Sequence, residues 1–362
     1  MYKINKNINK VIVFHHDDMD GQVSAKIAEH FIREGSENKD IEIKLYEVGY
    51  SKEVRIDVNE FNKNTLVVIL DWSFHLTVFD DLVHMVGYEN IIWIDHHKTA
   101  IDNYKQYPGI YLIDGIRYVG LCATELTYQF FKQSLRHIPE DYNIIPVPPY
   151  EAKNYSTEPV QNAIIEPLCL YLVGEWDMFR YSEEEQYVKH FSAGYLVKRP
   201  QMDDYSDEAK KFWELFYTQN TLYDAMYGED EYMKYTNNIM EAGETINGYI
   251  HIINKRTIIS YAFPAMIDKF PKLECVAVNT SSRSSLVFNN VRDKFHVGIC
   301  YTFNGRFMCY SIYRLGKDPD ILIDVSEIAK CYGGGGHPGA AGFNTEHRLV
   351  VTKIGELEDW LK

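Results

Sequence analysis

Three apolar runs near the N-terminus each end abruptly in aspartate and histidine, and no other feature constrains the fold of this chain so tightly. Val11-Ile12-Val13-Phe14 runs into His15-His16-Asp17-Asp18-Met19-Asp20-Gly21. Leu66-Val67-Val68-Ile69-Leu70 runs into Asp71, and Ile91-Ile92-Trp93-Ile94 into Asp95-His96-His97-Lys98-Thr99. Short β-branched runs bounded by polar residues read as buried strands of a parallel sheet. The stretches Gly21 to Arg33 and Phe79 to Val86 are amphipathic and long enough to be crossover helices. Alternating strand and helix predicts a doubly wound α/β layer. In such layers the ligand crevice lies beyond the carboxyl ends of the strands. One fold therefore gathers all three polar clusters in one place.

The first cluster has the pattern His-x-Asp-x-Asp-Gly. Residues two apart on an extended backbone share a side, so His16, Asp18 and Asp20 are expected to converge while Asp17 and Met19 face away. With Asp71, Asp95, His96 and His97 they form a set of carboxylates and imidazoles that burial penalises unless cations join them. Oxygen and nitrogen donors with no cysteine nearby suit Mn²⁺ or Mg²⁺ better than structural zinc. The set is too large for one ion but suits two, roughly 3.5–4 Å apart, with a shared carboxylate. Asp71, alone at its strand end, is the natural bridge. Two cations can generate hydroxide from water near neutral pH, so no serine or cysteine nucleophile is required. Hydrolysis of phosphate esters is the expected reaction class.

These motifs resemble those of the DHH family of phosphoesterases, whose name-giving triplet corresponds to Asp95-His96-His97. His16-x-Asp18-x-Asp20-Gly21 resembles the family's first motif, Asp71 its second and Gly174-Glu175-Trp176-Asp177-Met178 its fourth. Gly333-Gly334-Gly335-Gly336-His337-Pro338-Gly339-Ala340-Ala341-Gly342 resembles the glycine-rich signature of the accessory DHHA1 domain. The resemblance implies a DHH metal-binding domain over residues 1–200, a helical connector over 201–250 and a smaller α/β DHHA1 substrate domain over 251–362. A cleft would lie between the two domains. It implies that His16 and Asp18 hold one metal, that Asp20, His96 and Asp177 hold the other, and that Asp71 bridges them. His97 would face the substrate phosphate, and Asp95 would orient a histidine, as metal-ligating histidines usually require. His15 departs from the family pattern, in which a small residue is common; it is either an outer group of the site or packed beneath it.

In the C-terminal half, Asp324 to Tyr332 reads as a short helix with an acidic start and a glycine stop. The glycines that follow can adopt positive φ and expose backbone N–H groups to an anion. By the resemblance, Gly334, Gly335, Gly336 and His337 contact the substrate phosphate. His296 to Tyr301 and Met308 to Arg314 read as strands joined by a turn at Asn304-Gly305. Arg314 at the end of the second strand is a phosphate-binding candidate, because a guanidinium grips two oxygens at once. Arg283, in a serine-rich loop, is a second one. Asp203 to about Asn247 reads as core-facing helix plus connector, with Phe212, Leu215 and Phe216 at helical spacing. Ile138 to Pro159, rich in proline, reads as a surface loop or insertion.

The 362 residues suffice for two cored domains, and 46% hydrophobic with 25% charged residues is ordinary for a soluble globular protein. The polar start, the lack of a long apolar run and six irregularly spaced cysteines lead to the expectation of a cytoplasmic protein with reduced thiols, away from membranes. A formal net charge of −15 disfavours a long duplex partner, which needs a basic face. It favours a short RNA or DNA oligonucleotide or a nucleotide. The leading expectation is a Mn²⁺-dependent phosphodiesterase that converts dinucleotides or very short oligonucleotides to mononucleotides, similar to the oligoribonuclease branch of the family. Alternatives are a 3′,5′-bisphosphonucleotide phosphatase, a RecJ-type single-strand exonuclease, a cyclic-dinucleotide hydrolase and, outside the enzymes, a catalytically silent nucleotide-binding protein. A homodimer is compatible with any of these.

Overall fold

A computed structural model describes residues 3–49, 57–105, 107, 109–132, 167–181, 186–218, 231–282, 284–318, 323–346 and 349–360. Arg283 and the stretch Ile138 to Pro159 lie outside the described residues. The chain divides into two compact units, Met1–Glu244 and Thr245–Lys362.

The first unit is α/β. Its strands are β1 (Lys10–His16), β2 (Glu42–Val48), β3 (Thr65–Leu70) and β4 (Ile91–Ile94). All pair in parallel, in the order β2-β1-β3-β4. Helices α1 (Met19–Gly35) and α2 (Leu76–Val86) follow β1 and β3, and α3 (Lys98–Tyr104) and α4 (Ala123–Lys132) come after β4. Helices α5 (Leu168–Asp177), α6 (Gln186–Lys198) and α7 (Asp207–Glu214) complete the described α-helices confined to this unit.

Alternate residues of single strands enter opposite cores. Val11, Val13, Leu66, Val68, Ile92 and Ile94 pack with α1, α4, α5 and α6 on one face. Ile12, Phe14, Val67, Ile69, Ile91 and Trp93 pack with α2 and α3 on the other. A strand buried on both faces has no polar phase, which is why these segments read as unbroken apolar runs. Phe212, Leu215 and Phe216 are buried in the first of these cores.

Strand β2 escapes the sequence reading. It lies at the edge of the sheet and is only partly buried, with Glu42, Lys44 and Glu47 interrupting its apolar residues. Lys44 and Lys10 share Glu60, at 3.0 and 2.9 Å. The position supplies charge to the open edge, as edge strands commonly do, and this erases the hydrophobic signal.

A long helix, Glu231–Tyr261, carries the chain from the first unit into the second. The second unit has β5 (Phe263–Ile267), β6 (Phe270–Asn279), β7 (Val297–Phe303), β8 (Phe307–Arg314), β9 (Gly335–Gly336), β10 (Ala340–Glu346) and β11 (Val351–Lys353). They form one sheet in the order β11-β5-β6-β7-β8-β10-β9, antiparallel except for β6 with β7. The β7–β8 hairpin turns at Asn304-Gly305, where Gly305 has φ 94° and Asn304 N donates to Phe307 O. The expected short helix is Val325–Lys330, capped by the Asp324 carboxylate and stopped where Gly333 takes φ 81°. Among the described residues no helix is long and apolar enough to cross a membrane.

Candidate metal centre

Strand order places the site. From β1 the chain crosses to β2 on one side, whereas β3 and β4 lie on the other. The reversal leaves an opening at the carboxyl ends of β1 and β3, where α/β sheets bind ligands. His16 closes β1, and Asp71 follows β3 in register with it, since His15 pairs with Leu70. Asp95 and His96 follow β4.

His16, Asp18 and Asp20 do gather, but not by extended alternation. The backbone leaves the strand after His16, Asp18 becomes the N-cap of α1 with its side chain accepting from Gly21 N, and Asp20 sits in the first helical turn. Of the two residues expected to face away from the donors, Asp17 instead turns back toward His16, with Oδ1 3.6 Å from Nε2, whereas Met19 enters the core. Gly21 is needed here because a Cβ at that position would stand 2.4 Å from the His16 carbonyl oxygen. The missing Cβ is what leaves room for the helix start to lie against the strand end.

Three donor groups share Asp71: His16 with Asp18, Asp20 with His96, and Asp95 with His97, of which the first two are the ligand candidates. Within each group the donor atoms lie within 4.8 Å of one another. His16 Nδ1 is 2.7 Å from Asp18 Oδ2 and 3.7 Å from Asp71 Oδ2. His96 Nε2 faces three carboxylates, with Asp71 Oδ1 at 3.2 Å, Asp177 Oδ2 at 3.5 Å and Asp20 Oδ2 at 3.6 Å. An octahedral ion with oxygen ligands at about 2.1 Å separates its ligands by about 3.0–4.2 Å. The two groups fit that spacing after small side-chain adjustments. Asp177 belongs with the second group and closes α5.

Two further relationships sharpen the site. Asp95 Oδ1 accepts from the His97 backbone N at 3.0 Å and lies 2.9 Å from His97 Nδ1, so the histidine it orients is His97. Asp71 adopts φ 54°, a left-handed conformation that aspartate tolerates better than most residues. It ends the strand, and its N–H donates to Ile94 O.

Several contributors were invisible in sequence. Asp20 receives the Ala123 and Thr124 backbone N–H groups at 2.8 and 2.7 Å, so its carboxylate docks on the amino end of α4, where exposed N–H groups favour an anion. Glu125 Oε2 accepts from Cys122 N at 3.0 Å in the same turn. A glutamate at that spacing is a helix-start signal, but nothing local links it to Asp20. The Trp72 ring stacks on His16 with centroids 5.8 Å apart. His15, whose place the sequence left open between an outer group and packing beneath the site, is buried, with Nδ1 2.9 Å from the His16 carbonyl oxygen.

The electrostatics describe a cluster short of positive charge. Burial alone would lower the histidine pKa values, yet Asp18 and Asp71 raise His16 to about 11. Asp177, Asp71 and Asp20 likewise hold His96 well above its ordinary value. Burial and the neighbouring Asp71 push Asp20 up to about 6. Burial works to raise Asp71, but His16, His96 and His97 outweigh it and hold the carboxyl well below the usual range. Protons on the imidazoles thus stand where cations would serve. The Asp71 Oδ1 and Asp177 Oδ2 atoms are buried without a well-formed hydrogen bond, which suits ligands to an ion. Cys122 does not compete, because burial and the adjoining carboxylates keep its thiol protonated and thiolate is the ligating form. All six cysteines are free thiols.

The substrate-side candidates lie in the second unit. Gly333 N and Gly334 N donate to Lys330 O and Ala329 O, closing the helix, while Gly335 and Gly336 pair with Gly342 and Ala341. A Cβ at Gly334 would meet Gly342 O at 2.1 Å, so glycine is needed there for close strand approach, apart from any ligand. His337 follows the run, its N–H donating to Ala340 O. Arg314 N donates to Gly339 O at 2.9 Å, which brings Arg314 beside that loop.

No family model matches this sequence, and no curated protein is detectably similar to it. Solved structures do overlay. A DHH domain, from a protein described as a member of a family of ribosomal proteins, is 12% identical, with TM-score 0.49, covering 98% of this chain and 85% of that one. A pGpG-specific phosphodiesterase, PggH from Vibrio cholerae, is 10% identical, with TM-score 0.41, covering 93% of each chain. RecJ from Thermus thermophilus, in complex with Mn²⁺, is 14% identical, with TM-score 0.44, covering 94% of this chain and 50% of that one.

Proposed function

We propose that this chain is a DHH-family phosphodiesterase that uses two divalent ions, Mn²⁺ or Mg²⁺, to cleave dinucleotides and very short oligonucleotides to mononucleotides. One observation carries the proposal: two oxygen- and nitrogen-rich donor groups meet at a single buried carboxylate, Asp71. His16 and Asp18 would hold one ion, Asp20, His96 and Asp177 would hold the other, and Asp71 would serve both. When bound, the pair would supply a deprotonated water for attack on phosphorus and would offset charge on the phosphoryl oxygens.

The remaining work falls to the chain's own residues. Asp95 occupies His97 Nδ1, so Nε2 is the nitrogen that would meet a substrate phosphate. The amino end of α4 holds both oxygens of Asp20 and prevents that carboxylate from swinging toward substrate. Arg314 and His337, both in the second unit, would bind phosphate. The acidic balance of the chain, −15, supports a short substrate bound through a few donors rather than a long polyanion on a basic face.

A substrate-length series with Mn²⁺, from dinucleotide to about 24 nucleotides, tests the proposal directly. Rates should fall steeply with length, and the purified protein should take up about two ions per chain. Uniform rates along the series would point to a processive nuclease, and turnover confined to adenosine 3′,5′-bisphosphate to a phosphatase. His337→Ala should weaken substrate use while leaving metal content intact.

A further inference from the structure

The turn after α5 places an aromatic ring where helix geometry calls for glycine. Met178 caps the helix, Phe179 N donates to Trp176 O at 3.3 Å, and Arg180 N donates to Glu175 O at 3.1 Å. This double closure requires a left-handed residue, and Phe179 takes it, with φ 51°. Such positions are usually glycine because a Cβ strains the backbone there. Asp71 and Phe179 are the two left-handed residues other than glycine among the described residues, and the first stands at the centre of the donor cluster. The second follows Asp177, a member of the same cluster, by two residues.

Core packing does not account for the phenyl group, since Phe179 is 48% exposed. Its neighbours satisfy one another: the Trp176 and Tyr181 rings stack, with centroids 5.6 Å apart and planes at 7°. The turn is also braced. Arg180 pairs with Glu125 at 2.8 Å and with Glu175 at 2.9 Å, which ties it to the helix that holds Asp20. The ring therefore stands on a stiff support, and two residues of chain keep its Cα within about 7 Å of that of Asp177. A nucleoside spans that separation.

We propose that Phe179 is a stacking platform for a nucleobase of the substrate and sets a preference for base-bearing over abasic phosphodiesters. This deepens the phosphodiesterase reading and rests on it. Stacking is the fitting chemistry, because a neutral ring attracts any base face. A chain with a net charge of −15 offers a polyanion no general attraction.

Phe179→Gly removes the ring and gives the backbone the residue it favours, so the variant should melt at the same temperature as the parent protein or higher. Its ratio of kcat/KM for a dinucleotide over that for an abasic dinucleotide should fall about tenfold, chiefly through KM, and Phe179→Trp should restore the ratio. An unchanged ratio in Phe179→Gly overturns the proposal. A second measurement is independent of turnover. With 4-fluorophenylalanine at position 179, the fluorine resonance should shift on addition of adenosine monophosphate and not of ribose 5-phosphate. A base-dependent shift in a protein that cleaves nothing would uphold the platform and sink the phosphodiesterase reading. Turnover with neither shift nor altered ratio would do the reverse, and neither turnover nor shift would end both.

Discussion

Asp71 Oδ1 lies 3.2 Å from His96 Nε2, and both side chains are 1% exposed. The second oxygen of the same carboxylate faces His16 Nδ1 at 3.7 Å. One buried aspartate thus touches histidines from two different strand ends, a geometry that suits a shared ligand between two cations.

Removing that carboxylate should damage both ion sites at once. Asp71→Ala is expected to abolish turnover, by at least about 1,000-fold, and to bring bound metal well below about two ions per chain. Elemental analysis of the purified variant beside its rate checks this. Full metal content in Asp71→Ala would show that the bridge lies elsewhere.

In the metal-free protein, stability should fall as pH rises through the neutral and alkaline range. His16 is raised from 6.5 to about 11, so its contribution is complete below pH 6.5 and is lost as pH climbs through about 11. Asp20, raised from 3.8 to about 6, acts in the same direction at lower pH, since its protonated form is the one folding favours. Ion binding must displace these protons, so apparent metal affinity should increase with pH. Urea unfolding in chelator at several pH values, and calorimetry in buffers of different ionisation enthalpy, measure the two effects. Chelated protein that gains stability between pH 6.5 and 9 would refute the proton inventory.

Gly21→Ala tests the strand-to-helix junction. Alanine is the better helix former by about 1 kcal/mol, yet its Cβ would meet the His16 backbone at 2.4 Å. Overpacking of this kind costs typically about 1–3 kcal/mol, so the net change should be destabilising. Displacing His16 should also weaken metal binding, read by thermal melts with and without Mn²⁺. An unaltered melting temperature and affinity would mean that the junction has slack.

Asp95→Asn should separate orientation from ligation. The amide can still accept from the His97 backbone but no longer carries the charge that fixes the imidazole proton on Nδ1. A loss of about 10–100-fold in activity is expected, the usual range for such partners, with ion content unchanged. Loss of metal instead would place His97 among the ligands.

Much of this was legible along the chain. Strands β1, β3 and β4 announce themselves because burial on both faces leaves uninterrupted apolar runs, and the polar residues ending each run mark the crevice end of the sheet. The hairpin at Asn304-Gly305 and the capped helix Val325–Lys330 are equally local, set by turn and cap chemistry within a few residues. What the amino-acid order determined by itself was therefore which residues stand at strand ends and which chemistry they carry. Tertiary structure decided the rest. The docking of Asp20 on α4, more than 100 residues along the chain, and the arrival of Asp177 at His96 both required it. Hydrophobic period and capping are short-range signals read from neighbours in sequence, whereas the partners of a buried charge come from wherever packing brings a donor within hydrogen-bonding range.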